Sequence, residues 1–477
     1  MRPTFSGFEI VKSGIQSAQV GLDVTGKNVA NMGAEGYSRQ VVDQKAIYYS
    51  SSTYKYAPVG SQRLGQGVTV DQIVQIRDKF LDIRFRAANS EYAEFAKKTE
   101  VLEHINDILD ETTADGLGVL LEELFERLQA LSTNSGKIEF ASLVRSSAQK
   151  ITETVQFYYN KLEEISALEK ENLETITLVN LNKYLDEIAK LNKTIQNEEL
   201  VGNTPNDLYD ARNLLLDKVS KYLKIEVGEY PDDSPYKGAL SVKCGNIMLV
   251  DPAQSDPVTL SLREEDGKLK IYAGDEELDL ITGEIKGTLD ILNGEGSFAE
   301  VEEFKGIPYY LKSLDSFAVK FAEVFNSLNG GDALFVGTGA KDFAISDGWL
   351  ADANYLKVTT EGNQDSGKND NVLRMIHALE QKHEITEKFV GSLSEFVLIL
   401  MSDAAIDKNY YTDRASAADT VVSAIDNQRE SVKGVSLNEE TVNMIKYQRA
   451  FEASARVMTA LDEMLDIIIN RMGIVGR

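Results

Sequence analysis

A single cysteine and three histidines among 477 residues leave little with which to build several kinds of site. Cys244 alone closes no internal disulfide and makes no cysteine-based zinc centre, and its type suits a small buried strand position. His104, His377 and His383 are too scattered for a metal cluster, and no cofactor is expected. No stretch approaches the roughly 18 apolar residues of a membrane-spanning helix, so no membrane insertion is expected. The start, residues 1–14, lacks the apolar run of about 7–15 residues that a cleaved secretory signal carries. Any export is therefore expected to use a route without a cleaved signal peptide. Positive charge is short as well. Fifty Lys and Arg against 76 Asp and Glu leave a net charge of −26. That balance argues against a nucleic-acid surface, where basic side chains gather against phosphate.

What the chain does have is a seven-residue apolar repeat at each end. Near the C-terminus one row holds Met444, Phe451, Met458, Leu465 and Met472, and a second holds Tyr447, Ser454, Leu461 and Ile468. Near the N-terminus the rows are Phe8, Ile15, Leu22 and Val29, and Val11, Ala18, Thr25 and Met32. This is the a/d seam of helices that wind around one another. Stripes this narrow need partners: each other, copies in other subunits, or a different protein. Both terminal segments are nearly neutral, so the acidic charge falls on the middle. Neutral striped ends and an acidic body suit buried assembly ends and a solvated centre.

The length allows about three domains. The expected class is α+β, mostly α: an elongated molecule with terminal coiled-coil helices from both chain ends, a long-helix bundle and a small inserted antiparallel β domain. Residues 1–36 and 437–477 read as the terminal assembly domain, and 37–76 as an extended linker or β segment. Residues 77–224, 300–329 and 370–436 read as the helical rod. Within it, 138–168 and 173–200 are expected as separate helices, as are 371–388, 392–405 and 415–432. Around Lys224 the period changes from 3.6 to 2, and 225–299 reads as the inserted β domain. Residues 330–369 read as a Gly-rich loop with short strands, including an extended piece at 355–359.

Signals for chemistry are weak. Gly362, Gly367 and Lys368 fit a phosphate-binding loop, which makes a nucleotide-dependent enzyme the remote alternative. Asn369 stands where the magnesium-holding hydroxyl belongs, and alternating βα units are missing around it. The carboxylates at 232–233 and 264–266 fall in turns, where solvated acids are the rule. No catalytic residues are assigned, and an enzyme is not expected.

Two end motifs and one internal motif carry a resemblance. Residues 21–40 resemble the N-terminal signature of bacterial flagellar axial proteins, matching at Asn28, Ala30, Asn31, Gly36 and Tyr37. Residues 434–470 resemble the C-terminal helix of the same superfamily. Within it, Tyr37-Ser38-Arg39-Gln40 and the run holding Asn206, Asp207, Leu208, Asp210 and Arg212 resemble the FlgK-type hook-associated family. The resemblance implies a structural protein at the hook–filament junction, exported by the flagellar type III apparatus and assembled as a ring of copies. It implies the hook protein, a second hook-associated junction protein and a cytoplasmic export chaperone on the C-terminal helix as partners. A hook or rod subunit is the nearer alternative. The seam expected to carry assembly is Phe8, Val11, Ile15, Ala18, Leu22, Val29, Met32, Met444, Tyr447, Phe451, Met458, Leu461, Leu465, Ile468 and Met472. Whether it closes within one chain or between copies stays open.

Overall fold

The computed structural model describes residues 6–47, 65, 67–109, 116–231, 233–254, 256–360 and 368–471. Met472, Asp232 and most of the loop at 362–369 lie outside these. The chain begins with helix α1 (Ser6–Ala30), followed by the hairpin β1 (Gln40–Ala46) and β2 (Val68–Gln75). Helix α2 (Lys79–Ile108) starts where the Asp78 carboxylate accepts from the N–H groups of Phe80 and Leu81, the usual way to satisfy first-turn donors. Then come α3 (Leu117–Thr133), α4 (Ile138–Asn172), α5 (Leu178–Val201) and α6 (Asn206–Tyr222).

Two three-stranded antiparallel sheets follow. The first is β3 (Glu226–Glu229), β4 (Leu240–Cys244) and β5 (Ile247–Val250); the second is β6 (Leu260–Glu265), β7 (Lys268–Ala273) and β8 (Glu276–Glu277). The chain returns through α7 (Glu284–Asn293), α8 (Ile307–Leu328), the small pair β9 (Phe335–Val336) and β10 (Ala344–Ile345), α9 (Asp347–Ala351) and α10 (Asp370–Glu380). A hairpin, β11 (His383–Thr386) and β12 (Phe389–Gly391), leads to α11 (Leu393–Lys433) and the final α12 (Leu437–Asp466). The molecule is α+β and mostly α. No helix among the described residues is long and apolar enough to cross a membrane.

Two hydrophobic cores hold the middle together. One joins the end of α2 with α3, α4, α8, α10 and the start of α11. Its centre is aromatic: Phe321 stacks on Phe325 at 4.6 Å, and Phe335 meets Phe321 and Trp349 edge-on. The other joins α5, α6 and α7 with both three-stranded sheets. Helix α7 crosses α2 almost backbone to backbone, because Gly287 leaves no β-carbon to strike the Glu94 carbonyl.

The structure departs from the sequence reading in several places. Helices α4 and α5 are continuous through one π turn, Leu173–Thr177, and together run about 95 Å at 1.5 Å per residue. The turn falls where the second core begins: Leu162 faces the first core, while Leu173, opening the turn, and Leu178 beyond it face the second. The extra residue re-aims the apolar stripe without breaking the helix. Helix α11 is likewise one helix rather than two, since 406–414 hold neither Gly nor Pro and Tyr411 packs on Phe95 and Phe304 of the body. Conversely, the helix expected over 371–388 stops at Glu380. Beyond it, β-branched residues and Phe389, packed on Phe396, favour the hairpin.

Within 225–299, residues 284–293 are helical, because Ile285, Leu289 and Leu292 recur at helical spacing on the buried side. Residues 356–359 form no strand. Side-chain amides satisfy that backbone: Asn329 accepts from the Lys357 N–H, and Asn371 donates to the Lys357 carbonyl.

Candidate functional site

Helices α1 and α12 pack against each other in antiparallel fashion. A β-carbon added at Gly7 would lie 3.4 Å from Leu461, one at Gly14 3.2 Å from Ser454, and one at Gly21 2.5 Å from Tyr447. One heptad further along, Asn28 reaches Glu440. The contacts thus step by seven residues on both helices, in opposite directions. The closest line is Gly7, Gly14, Gly21 and Asn28, one residue before the row that begins at Phe8. Glycine brings the backbones close, and the apolar residues flank that line.

Phe8, Val11, Ile15, Leu22 and Val29 are half-buried, Ala18 is buried and Met32 is exposed. On α12, Tyr447, Met458, Leu461 and Leu465 are half-buried, while Met444 and Phe451 are exposed, as is Ile468 in the π turn Ile467–Arg471 that follows. The only residue of α12 that is buried is Glu440, at 2 % exposure.

At the inner end of this pair lies a polar joint. The Asn28 side chain donates to the Gln40 carbonyl at 2.9 Å and accepts from the Gln40 N–H and the Tyr37 hydroxyl. It also donates to Glu440 at 3.2 Å. Arg39 donates through Nε to Glu440 at 2.8 Å and through Nη1 to Glu439 at 2.7 Å, while its N–H meets the Lys433 carbonyl at the end of α11. The start of α6 closes the joint. Asp207 pairs with Lys27 at 2.8 Å, and Asp210 accepts from the Ser38 N–H at 3.1 Å. The Asn206 amide donates to the Ile73 carbonyl of β2. Gly36, at φ +78°, makes the turn beside Leu214. Burial first, then the carboxylates of Asp207, Asp210 and Glu440, push the Tyr37 hydroxyl up to about 12, so it stays a donor.

Beneath the joint a charge cluster ties α2, α6 and α11 together. Arg77 pairs with Asp82 at 2.5 Å and lies 3.7 Å from Asp210. Arg429 bridges Asp82 and Asp217, with its guanidinium 4.0 Å from the Phe85 ring centroid, and Arg86 also holds Asp217. Burial alone would raise the Asp82 carboxyl, but Arg77, Arg429 and Arg86 outweigh it and hold it below the ordinary range. Asp210 goes the other way: burial raises it, and Ser38 and Arg77 only partly compensate.

Of the signature residues, Asn28, Tyr37, Ser38, Arg39, Gln40, Asn206, Asp207 and Asp210 meet in this one joint. Arg212 lies further along α6, donating to Asn192 of α5 and the Gly238 carbonyl. Burial lowers its pKa to about 10. Asn31 donates back to Lys27 within its own helix turn, and Ala30 is exposed. The pattern reading missed Glu440, Arg77, Asp82, Asp217 and Arg429. The glycines at 7, 14 and 21 were open to it, since their seven-residue spacing matches the apolar seam. Elsewhere, a cleft of about 730 Å³ lies beside β7 and α7, and its lysines 268, 270 and 286 are each paired with carboxylates. Among the described residues no group of three or more metal-ligating side chains converges.

Residues 102–343 match the family described as the flagellar hook-associated protein FlgK helical domain, and residues 421–472 match the flagellar basal body rod FlgEFG protein C-terminal family. Flagellar hook-associated protein 1 of Bacillus subtilis (strain 168) is 29% identical over 511 residues, covering 100% of both chains. Its counterpart in Escherichia coli (strain K12) is 22% identical over 553 residues, covering 96% of this chain and 98% of the relative. The solved flagellar hook junction protein FlgK from Burkholderia pseudomallei is 20% identical with a TM-score of 0.43, over 53% of this chain and 44% of that one.

Proposed function

The chain belongs to the FlgK family of flagellar hook-associated proteins, and we propose from this that it joins hook to filament by self-assembly through its paired terminal helices. It is a structural component of the bacterial flagellum, not an enzyme. One observation carries the assembly reading. Although α12 is already paired with α1, it leaves Val442, Met444, Ile445, Phe451, Val457 and Met464 exposed. Apolar surface spread over so much of one helix calls for further partners. Burying it at about 25 cal/mol per Å² favours stacking of copies into a ring.

The hook protein and a second hook-associated junction protein are its expected neighbours. An export chaperone covering the C-terminal helix would keep that surface from aggregating before assembly. The net charge of −26 disfavours a nucleic-acid partner. Immunogold labelling tests the placement: gold at the far end of the hook supports the junction reading, and gold along the whole hook favours a hook subunit. Replacing Met458 with Asp is expected to abolish incorporation while the cores stay folded; normal filaments in that variant would refute assembly through this seam.

A further inference from the structure

Neither hydrophobic core contains a residue of α1 or α12 among the described residues. The terminal pair is therefore held to the rod in a different manner from the rod's own helices. Only residues 434–436 separate α11 from α12, and residues 31–39 separate α1 from β1. At the meeting point of these links stands Arg39. Its backbone N–H is bound to the last residue of α11, and its guanidinium to Glu439 and Glu440 in the first turn of α12. Glu440 in turn accepts from Asn28 of α1. One ion pair thus touches all three helices whose directions must agree. Leu214 against Gly36 adds an apolar contact too small to fix an angle, and the Lys27–Asp207 pair from α1 to α6 is solvent-exposed and correspondingly weak.

Charged pairs of this kind supply direction more than net stability, because desolvation offsets most of their attraction. We propose that Arg39–Glu440 is an ionic latch, a positioning contact that sets the angle at which the terminal helix pair leaves the rod. The purpose assigned to that angle, presenting every copy's seam in one direction, rests on the self-assembly reading. The latch itself is a property of the single chain. With the pair broken, the terminal helices remain zipped along the glycine row but swing about residues 434–436.

Electron–electron resonance distances on the full chain test this without assembly. Cys244, the single cysteine, is buried, so spin labels at K193C and A460C report selectively on rod and α12. The wild-type latch is expected to give one narrow distance distribution, roughly doubled in width by R39A or E440A as the hinge is freed. E440Q, which keeps the shape and loses the charge, is expected to broaden it too. Because the Glu440 side chain is only 2 % exposed, salt screens the pair little, and the wild-type distribution is expected to stay narrow as salt is raised toward about 1 M. An unchanged distribution in E440A and E440Q overturns the latch, and so does a wild-type distribution that is already broad. A second label pair within the rod, K193C and S416C, is expected to stay constant. If it shifts in E440A, Glu440 is part of the rod's fold and the latch is again overturned. Incorporation of the Met458→Asp variant into filaments would sink the assembly reading and leave these distances untouched.

Discussion

The ring of Tyr447 lies against the bare backbone of Gly21, where a β-carbon would sit 2.5 Å from it. Alanine there gains helix propensity of about 0.5–1 kcal/mol but forces the ring aside, at about 1–3 kcal/mol for overpacking. Gly21→Ala is therefore expected to loosen the terminal pair. Gly26, on the same helix with nothing within 4 Å of its missing β-carbon, is the control. Gly26→Ala is expected to be neutral or stabilising. Hydrogen exchange across α1 and α12 reads both: faster exchange in the first variant only. Equal behaviour of the two would mean that Tyr447 does not set the register.

Arg429 is the keystone of the cluster beneath the joint, with its side chain 3 % exposed. Removing it leaves Asp82 and Asp217 each short of a partner. Breaking a buried pair in this way costs about 3–5 kcal/mol, and Arg77 and Arg86 should hold the loss near the lower end. Arg429→Ala is thus expected to lower the stability of the helical body by about 3 kcal/mol in urea titration with an unchanged slope. Arg429→Lys keeps the charge but not the fork that spans two carboxylates, so it should recover only part of the loss.

Acidification should separate the two buried aspartates by sign. Asp82 has a folded pKa below its unfolded value, so its contribution is complete above the unfolded value and is lost as pH falls through the folded one. Asp210 has a folded pKa above its unfolded value, so its ionised form destabilises the fold at neutral pH, and acid relieves that as pH falls through the raised value. Asp82→Asn is expected to be less stable than wild type at pH 7, with the gap closing in acid. Asp210→Asn is expected to be at least as stable as wild type at pH 7, its advantage vanishing in acid. Urea midpoints stepped from pH 7 downward check both, and like-signed curves would refute the assignment.

Most helices were legible because they rest on periodicity, which one sequence displays in full. Glu440 was not, since a carboxylate in the first turn of a helix is ordinarily solvated. Its burial depends on Asn28 and Arg39, some four hundred residues away. The glycine row at 7, 14 and 21 was visible in the spacing, yet a search for apolar stripes passes over residues that contribute only absence. The polar stretch near Asn409 breaks the apolar pattern of α11, so the sequence alone suggests two helices there. Tertiary contact through Tyr411 carries the helix across. The hairpin at 383–391 was lost for the opposite reason, as the helical pattern of α10 continues past the point where packing ends it.

The π turn at Leu173–Thr177 makes the sharpest prediction, because it is one residue more than an α-helix needs. Ile176 in that turn is exposed. Deleting it should convert the π turn to an α turn and leave Leu162 and Leu178 each facing its own core. Stability is expected to change by no more than about 0.5 kcal/mol, the range of a surface change away from the core. Deleting the exposed Lys183 a short way along instead puts the chain out of phase by about 100°. If the π turn relaxes to restore the phase beyond residue 183, Leu178 and Leu181 are still turned out of the second core, where both are buried. At about 1.5–3 kcal/mol for each such side chain, that deletion should cost several kcal/mol. Thermal unfolding of the two single-residue deletions decides it. Equal losses would mean that the π turn is part of the packing rather than an absorbed insertion between two independently phased cores.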